Sequence, residues 1–250
     1  MVMEFENKNY IVTGASSGIG RAVCIELSKQ KANVMLVARN EERLNETLEK
    51  MDSANHSQAS FDLTNIDGID SLVASIYEKY DTIDGVIYCA GYGSGTTLRK
   101  ITYQMLHGDM LINYYAFVEL VRCAVKYKPK KHPMRIVSIS SIASILNTAS
   151  YTSYSASKAA LDAAVRVLSN ELVKKNTTIN TIRPAYVDTE MMTFMNDLFE
   201  DFNEHIKNTG FQPLGLIEPY DVARMAIYLM GDAAKSITGM HIPINGGARF

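Results

Sequence analysis

Three cysteines in 250 residues, Cys24, Cys89 and Cys123, are too few and too odd in number for a disulfide framework. Each sits in an apolar stretch, so buried free thiols in a reducing compartment are expected. No uninterrupted apolar run approaches the ~18 residues that suggest a membrane span. Residues 1–8 lack the basic region followed by an apolar stretch that marks a secretory signal. Neither sign of charge dominates: 25 Lys and Arg face 27 Asp and Glu, and the formal net charge of −2 argues against a general nucleic-acid binder. His56, His107, His132, His205 and His241 are isolated from one another, with no zinc-ligand spacing within a helix, so no metal is expected. Internal repeats, low-complexity tracts and interdomain linkers are also missing, so a single domain over residues 1–250 is expected. What remains is a cytoplasmic globular protein with no nucleic-acid or membrane partner.

Short β-branched runs alternate with longer amphipathic segments almost to the end of the chain. Tyr10 to Thr13 reads as a first strand and Arg21 to Lys31 as a helix. Asn33 to Ala38 is a second strand, with a charged helix from Glu41 to Met51. A short strand around Gln58 to Phe61, a helix Ile66 to Tyr80 and a strand Gly85 to Ala90 follow. Then come a long helix Thr102 to Tyr127, a strand Arg135 to Ser140 and a helix Tyr154 to Lys174. Thr178 to Ile182 is extended, Asp221 to Met230 helical, and His241 to Ile244 the last strand. Continuous apolar strands separated by helices demand a parallel sheet covered on both faces. The expected fold is an α/β, doubly wound Rossmann-type domain with a mainly parallel seven-stranded sheet, its ligand along the carboxyl ends of the strands.

The first strand runs into a glycine turn, Thr13-Gly14-Ala15-Ser16-Ser17-Gly18-Ile19-Gly20. Gly14 permits an unusual backbone angle, while Gly18 and Gly20 allow close approach to a pyrophosphate and close packing on the sheet. The following helix would aim free N–H groups and a partial positive charge at the phosphates. At the end of the second strand an acidic residue would repel a 2′-phosphate, but this chain has Ala38, Arg39 and Asn40. A guanidinium there suits a phosphate, and Ser16 or Ser17 can add a hydroxyl. The expected cofactor is NADP(H) rather than NAD.

Tyr154 and Lys158 are four residues apart, a spacing that puts them on one helix face. An ammonium beside a phenol favours the phenolate, so a lowered tyrosine pKa is expected. A proton donor of this kind beside a dinucleotide points to hydride transfer between a nicotinamide and a carbonyl or secondary alcohol.

In order along the chain, these residues resemble the short-chain dehydrogenase/reductase family in its single-domain branch. The resemblance takes in the glycine turn, Asp62-Leu63, Ala90-Gly91, Asn113, Ser141, Tyr154, Lys158, the run from Arg183 to Thr189 and Asn245-Gly246-Gly247. It implies that Asn113, Ser141, Tyr154 and Lys158 form the catalytic set. Tyr154 would be the general acid, and Ser141 would hydrogen-bond the carbonyl oxygen. Lys158 would also hold the nicotinamide ribose, and Asn113 would help retain a water linking the lysine to solvent. The resemblance further implies cofactor contacts from Gly14, Ser16, Ser17, Gly18, Ile19 and Gly20 at the phosphates. Asp62 and Leu63 would meet adenine, Ala90 and Gly91 would contact through backbone, and Pro184, Val187 and Thr189 would meet the nicotinamide. Two departures are Cys89, where an asparagine is frequent, and Ala185, where a glycine is frequent.

Between Thr189 and Pro213 the alternation breaks into an insertion rich in Met and Phe, including Met191, Met192, Phe194, Met195, Leu198, Phe199, Phe202 and Phe211. The resemblance places this segment as a substrate lid, suited to an apolar or acyl substrate. The run from Lys126 to His132 offers cations for an acidic acyl carrier protein. A 3-oxoacyl thioester is therefore the leading substrate, with a free ketone, sugar or steroid-like alcohol as alternatives. A non-catalytic NADP sensor needs no proton donor, and a sugar-nucleotide epimerase needs a larger carboxyl-terminal domain. By the same resemblance a homotetramer, or else a homodimer, is expected.

Overall fold

The apolar runs that form the five inner strands are buried along nearly their whole lengths, which leaves only their backbone groups to pair sideways. The computed structural model describes residues 4–93, 95–146, 148–192 and 199–248. The strands are β1 (Asn9–Thr13), β2 (Asn33–Ala38), β3 (Ser57–Ser60), β4 (Gly85–Tyr88), β5 (Met134–Ile139), β6 (Thr177–Pro184) and β7 (His241–Ile244). They form one seven-stranded sheet in the order β3-β2-β1-β4-β5-β6-β7, with every pairing parallel. The expected sheet was mainly parallel; the observed one is parallel throughout. The two outer strands are β3, whose residues are partly exposed, and β7, which carries Pro243. Edges tolerate both, since a proline cannot donate to a ladder on each side.

The helices are α1 (Gly18–Lys29), α2 (Glu41–Leu48), α3 (Ile69–Tyr80), α4 (Tyr103–Met110), α5 (Ala116–Tyr127), α6 (Thr152–Leu172), α7 (Phe202–Asn208) and α8 (Pro219–Met230). One apolar core lies between the sheet and α1 and α8, through Val23, Leu27, Val222 and Ala226. A second lies on the other face, where Leu72, Val73, Phe117, Leu120, Leu161 and Val165 pack from α3, α5 and α6. Chain order reverses at β1: the chain moves outward to β2 and β3, then returns to β4 on the other side of β1. The carboxyl ends of β1 and β4 therefore diverge into a crevice, where such sheets bind ligands.

The expected helices Arg21–Lys31 and Tyr154–Lys174 are observed as Gly18–Lys29 and Thr152–Leu172, and three others end or bend elsewhere. The helix expected from Ile66 begins as a 3-10 turn, Ile66–Gly68, before α3. The helix expected from Glu41 to Met51 ends at Leu48. The long helix expected over Thr102–Tyr127 is interrupted by a π turn, Leu111–Tyr115, between α4 and α5. Such a turn carries an extra residue per repeat and is frequent at functional positions. Its centre here is Asn113.

Within the segment from Thr189 to Pro213, a 3-10 turn Glu190–Met192 and helix α7 are seen. Of the lid residues named above, Phe194, Met195 and Leu198 lie outside the described residues, as do Met1 to Met3 and the last two positions of the apolar carboxyl terminus.

Candidate active site

Gly14 is in the left-handed region at φ +64°, and a Cβ there would sit 2.9 Å from Ala90 N. A Cβ on Gly20 would lie 2.2 Å from Gly14 O. The turn is thus folded onto itself and onto the end of β4 so tightly that only glycine fits. Thr13 Oγ1 accepts the N–H groups of both Cys89 and Ala90 at 3.1 Å, which fixes the same junction. This hydroxyl does the fastening although Cys89 replaces an amide side chain.

Helix α1 then starts with no side-chain cap from Ser17 and no acidic residue in its first turn. Its first N–H groups face the turn, an arrangement suited to an anion. A cleft of about 1030 Å³ opens here and continues to Tyr154. All the residues assigned above to the dinucleotide border it: the glycine turn, Arg39 and Asn40, Asp62 and Leu63, Ala90 and Gly91, then Pro184, Val187 and Thr189. Shape and donors therefore fit a nicotinamide dinucleotide laid across the β1/β4 crevice. Within this set, Asn40 Oδ1 caps α2 by accepting the Arg43 N–H at 2.9 Å. Asp62 has its carboxyl held below the usual range chiefly by the Thr64 N–H, with the Thr64 hydroxyl and the Arg39 charge adding to this.

At the other end, Ser141 follows β5 and caps a 3-10 turn, its Oγ accepting the Ala143 N–H at 3.1 Å. Ser141 is near enough to Tyr154 to lower the pKa of its hydroxyl. Tyr154 and Lys158 occupy the first turns of α6, and Lys158 Nζ lies 5.7 Å from the centre of the Tyr154 ring. Lys158 is buried, and its Nζ donates to Ile139 O at 2.9 Å, tying α6 to the end of β5. Ser141, Tyr154 and Lys158 all border the cleft.

The tyrosine pKa expectation is corrected. Burial pushes Tyr154 up to about 12; the Ser141 hydrogen bond opposes the rise, while Tyr151 and Asp109 add to it. Burial also brings Lys158 down to about 8, against smaller upward pulls from Asp162, Cys89 and Asp109. Tyr154 is accordingly a protonated phenol at neutral pH, prepared to give a proton rather than take one.

Asn113 is placed differently from the other three. It is fully buried behind the cleft wall and does not border the cleft. Its Nδ2 donates to Tyr92 O at 2.7 Å and to Ser157 Oγ at 2.9 Å, while its Oδ1 accepts the Tyr92 N–H at 3.1 Å. Ser157 Oγ in turn donates to Tyr154 O at 2.7 Å. The Asn113 amide is therefore a positioning group that clamps the loop after β4 onto α6. Both Nδ2 protons of the side chain are taken up by these contacts.

That clamp presses Gly93 against the catalytic ring: a Cβ on Gly93 would lie 2.8 Å from Tyr154 Cδ2. Gly93, Thr13 and Ser157 escape notice in the sequence, although Gly91 and Gly93 so close together are an available signal of close backbone approach. Gln212 escapes as well. It is fully buried, accepts the Tyr186 N–H at 3.0 Å and donates to Tyr186 O at 2.9 Å. In this way it fixes Tyr186 near the nicotinamide end, where Tyr186 also packs on Phe202 and Phe211.

The lysine run divides. Lys126 pairs with Asp70 at 2.9 Å, and Lys128 is buried with its Nζ 3.2 Å from Pro129 O. Lys130 and Lys131 remain exposed, at the amino-terminal end of β5. The site lies at the opposite end of that strand.

No described helix is long and apolar enough to cross a membrane. The chain resembles well-known proteins along its length. A 3-oxoacyl-acyl-carrier-protein reductase of Chlamydia trachomatis is 28% identical over 96% of this chain and 97% of its own. An L-xylulose reductase of Caenorhabditis elegans is 28% identical over 98% of this chain and 96% of its own. Among solved structures, an actinorhodin polyketide ketoreductase with NADPH superposes with a TM-score of 0.88 at 26% identity, covering 96% of this chain and 97% of its own. A short-chain type dehydrogenase/reductase from Mycobacterium ulcerans gives 0.89 at 26%, covering 98% and 90%. The family model described as enoyl-(acyl carrier protein) reductase matches residues 14–249. With the glycine turn, the parallel sheet and the Ser141–Tyr154–Lys158 cluster all in one cleft, the chain belongs to the short-chain dehydrogenase/reductase family of oxidoreductases.

Proposed function

We propose that this protein is an NADP(H)-dependent reductase of a carbonyl group, with a 3-oxoacyl thioester as the leading substrate. One observation carries the reading: Ser141, Tyr154 and the buried Lys158 stand together in the cleft that begins at the glycine turn. The bound nicotinamide would supply or accept the hydride. Ser141 orients the carbonyl oxygen and stabilises the negative charge that develops there. Tyr154 gives that oxygen its proton as general acid.

Arg39, exposed at the end of β2 and without an acidic neighbour at Ala38 or Asn40, supports NADPH over NADH. The NADPH-bound ketoreductase neighbour supports the same choice. The thioester reading draws on the Chlamydia reductase. An acyl carrier protein delivering it would dock at the cleft mouth rather than on Lys130 and Lys131, which lie at the far end of β5. A second reading, reduction of a free ketone, sugar or steroid-like alcohol, is favoured by the tyrosine-rich wall of Tyr92, Tyr151 and Tyr186. A homotetramer or homodimer in the cytoplasm completes the proposal, supported by the exposed Tyr103, Leu106 and Tyr115 beside α4 and α5 and by three free cysteines.

The test is NADPH consumption across a carbonyl panel, repeated with NADH. Turnover on a 3-oxoacyl thioester with NADPH is expected. Activity confined to free ketones or sugars would select the second reading. Cofactor binding without turnover on any carbonyl would make the protein a redox sensor and reject both.

A further inference from the structure

Arg43 and Glu190 stand 147 residues apart in the chain, yet Arg43 Nη2 donates to both Glu190 carboxylate oxygens. Both border the cofactor cleft. Arg43 belongs to α2, four residues beyond Arg39, and Glu190 directly follows Thr189 at the nicotinamide end. The pair therefore joins the adenosine side of the cleft to the start of the Met- and Phe-rich segment.

The Arg43 backbone is anchored to the phosphate turn. Arg21 Nη2 donates to Ser16 O at 2.6 Å and to Arg43 O at 3.5 Å. Thr47 Oγ1 lies 3.0 Å from both Arg43 O and Ala15 O, where its one proton is shared between the two carbonyls. With its main chain so held, the Arg43 guanidinium stays at the cleft and exchanges partners by side-chain rotation alone. Its present partner is a weak holder: the Arg43 and Glu190 side chains are 34% and 56% exposed, and ion pairs in water contribute little. A phosphate carries more charge than a carboxylate and matches the guanidinium fork equally well.

We propose that Arg43 is a second cation for the 2′-phosphate of the dinucleotide, acting with Arg39, and that Glu190 is the carboxylate this phosphate displaces. The proposal rests on the NADP reading above. It makes cofactor choice a competition: NADH has no group with which to displace Glu190 and leaves the ion pair intact, whereas NADPH exchanges one partner for a stronger one.

The experiment measures the Kd of NADPH and of NADH by nicotinamide fluorescence, which tryptophan emission does not overlay because the chain has no tryptophan. Wild type is compared with Arg43→Gln, Glu190→Gln and the double variant, each first checked for an unchanged melting temperature. Arg43→Gln is expected to weaken NADPH about tenfold and NADH less than about twofold, as loss of a charged phosphate contact requires. Glu190→Gln is expected to tighten NADPH about threefold, leaving NADH unchanged. The double variant should resemble Arg43→Gln, because the proposed effect of Glu190 on the phosphate is exerted through that arginine. Equal effects on both cofactors in Arg43→Gln would overturn the phosphate role. A selective loss there without any gain in Glu190→Gln would overturn the competition. If wild type itself preferred NADH, the NADP reading would fall and this proposal with it, an outcome distinct from a retained NADPH preference in Arg43→Gln.

Discussion

At the glycine-turn end of the cleft the walls are backbone pressed on backbone, whereas at the Tyr154 end they are side chains leaning on side chains. Gly20 meets Gly14 O and Gly14 meets the β4 terminus at distances that admit no Cβ. Around Tyr154, by contrast, stand Ser141 on the same cleft wall and Tyr151 edge-on at 6.3 Å between ring centres. Tyr186 is held by Gln212 farther along the wall. Backbone contacts dictate residue type and leave a pattern; side-chain walls accept many residue types and leave little. The first end serves a constant ligand, the second a substrate that differs between relatives such as the Chlamydia reductase and the Caenorhabditis L-xylulose reductase.

If that contrast holds, a single methyl should do most harm where backbone faces backbone. Gly20→Ala is expected to cost about 3 kcal/mol of stability and to abolish detectable NADPH binding, because Gly14 O cannot retreat without opening the β1 turn. Chemical denaturation and cofactor titration would check this, and a wild-type midpoint with normal binding would break the comparison.

Gly93 sharpens it, since there a backbone faces a side chain that can turn. Gly93→Ala should leave the fold and NADPH binding intact while lowering kcat about tenfold or more, through a displaced Tyr154 ring. Steady-state kinetics beside a cofactor titration would separate the two effects; an unchanged kcat would mean that the ring position is set elsewhere.

The smallest effect concerns Lys158. Its folded-state pKa of about 8 lies below the ordinary 10.5, so between those values the unfolded chain holds the extra proton. Stability should therefore rise with pH from about 8 to about 10.5 relative to Lys158→Met, by less than about 1.4 kcal/mol per pH unit. Urea midpoints of both proteins across that range would check the sign, and parallel curves would show that the lysine is not buried as described.

The same contrast governs what the sequence made legible. β2 and β7 coincide with their expected bounds, and at the carboxyl end of each a polar residue, Arg39 or Asn245, follows the apolar run. The glycine turn was legible for the reason just given. The π turn at Asn113 was not, since one extra residue per turn alters no hydrophobic period strongly enough to read. The direction of the Tyr154 pKa was missed because spacing reveals the neighbouring ammonium but not the depth of burial. Lys128 looked like surface charge within a lysine run and is buried, its ammonium satisfied by local carbonyls that a linear reading does not place.

The most direct test of the proton-donor assignment is Tyr154→Phe, assayed for NADPH-dependent turnover on the best substrate of the panel and for NADPH affinity in parallel. Removing only the hydroxyl should lower kcat by about 100-fold to 10,000-fold while Kd for NADPH stays within about twofold. Wild-type kcat in that variant would contradict Tyr154 as the proton donor and with it the reading of this cleft.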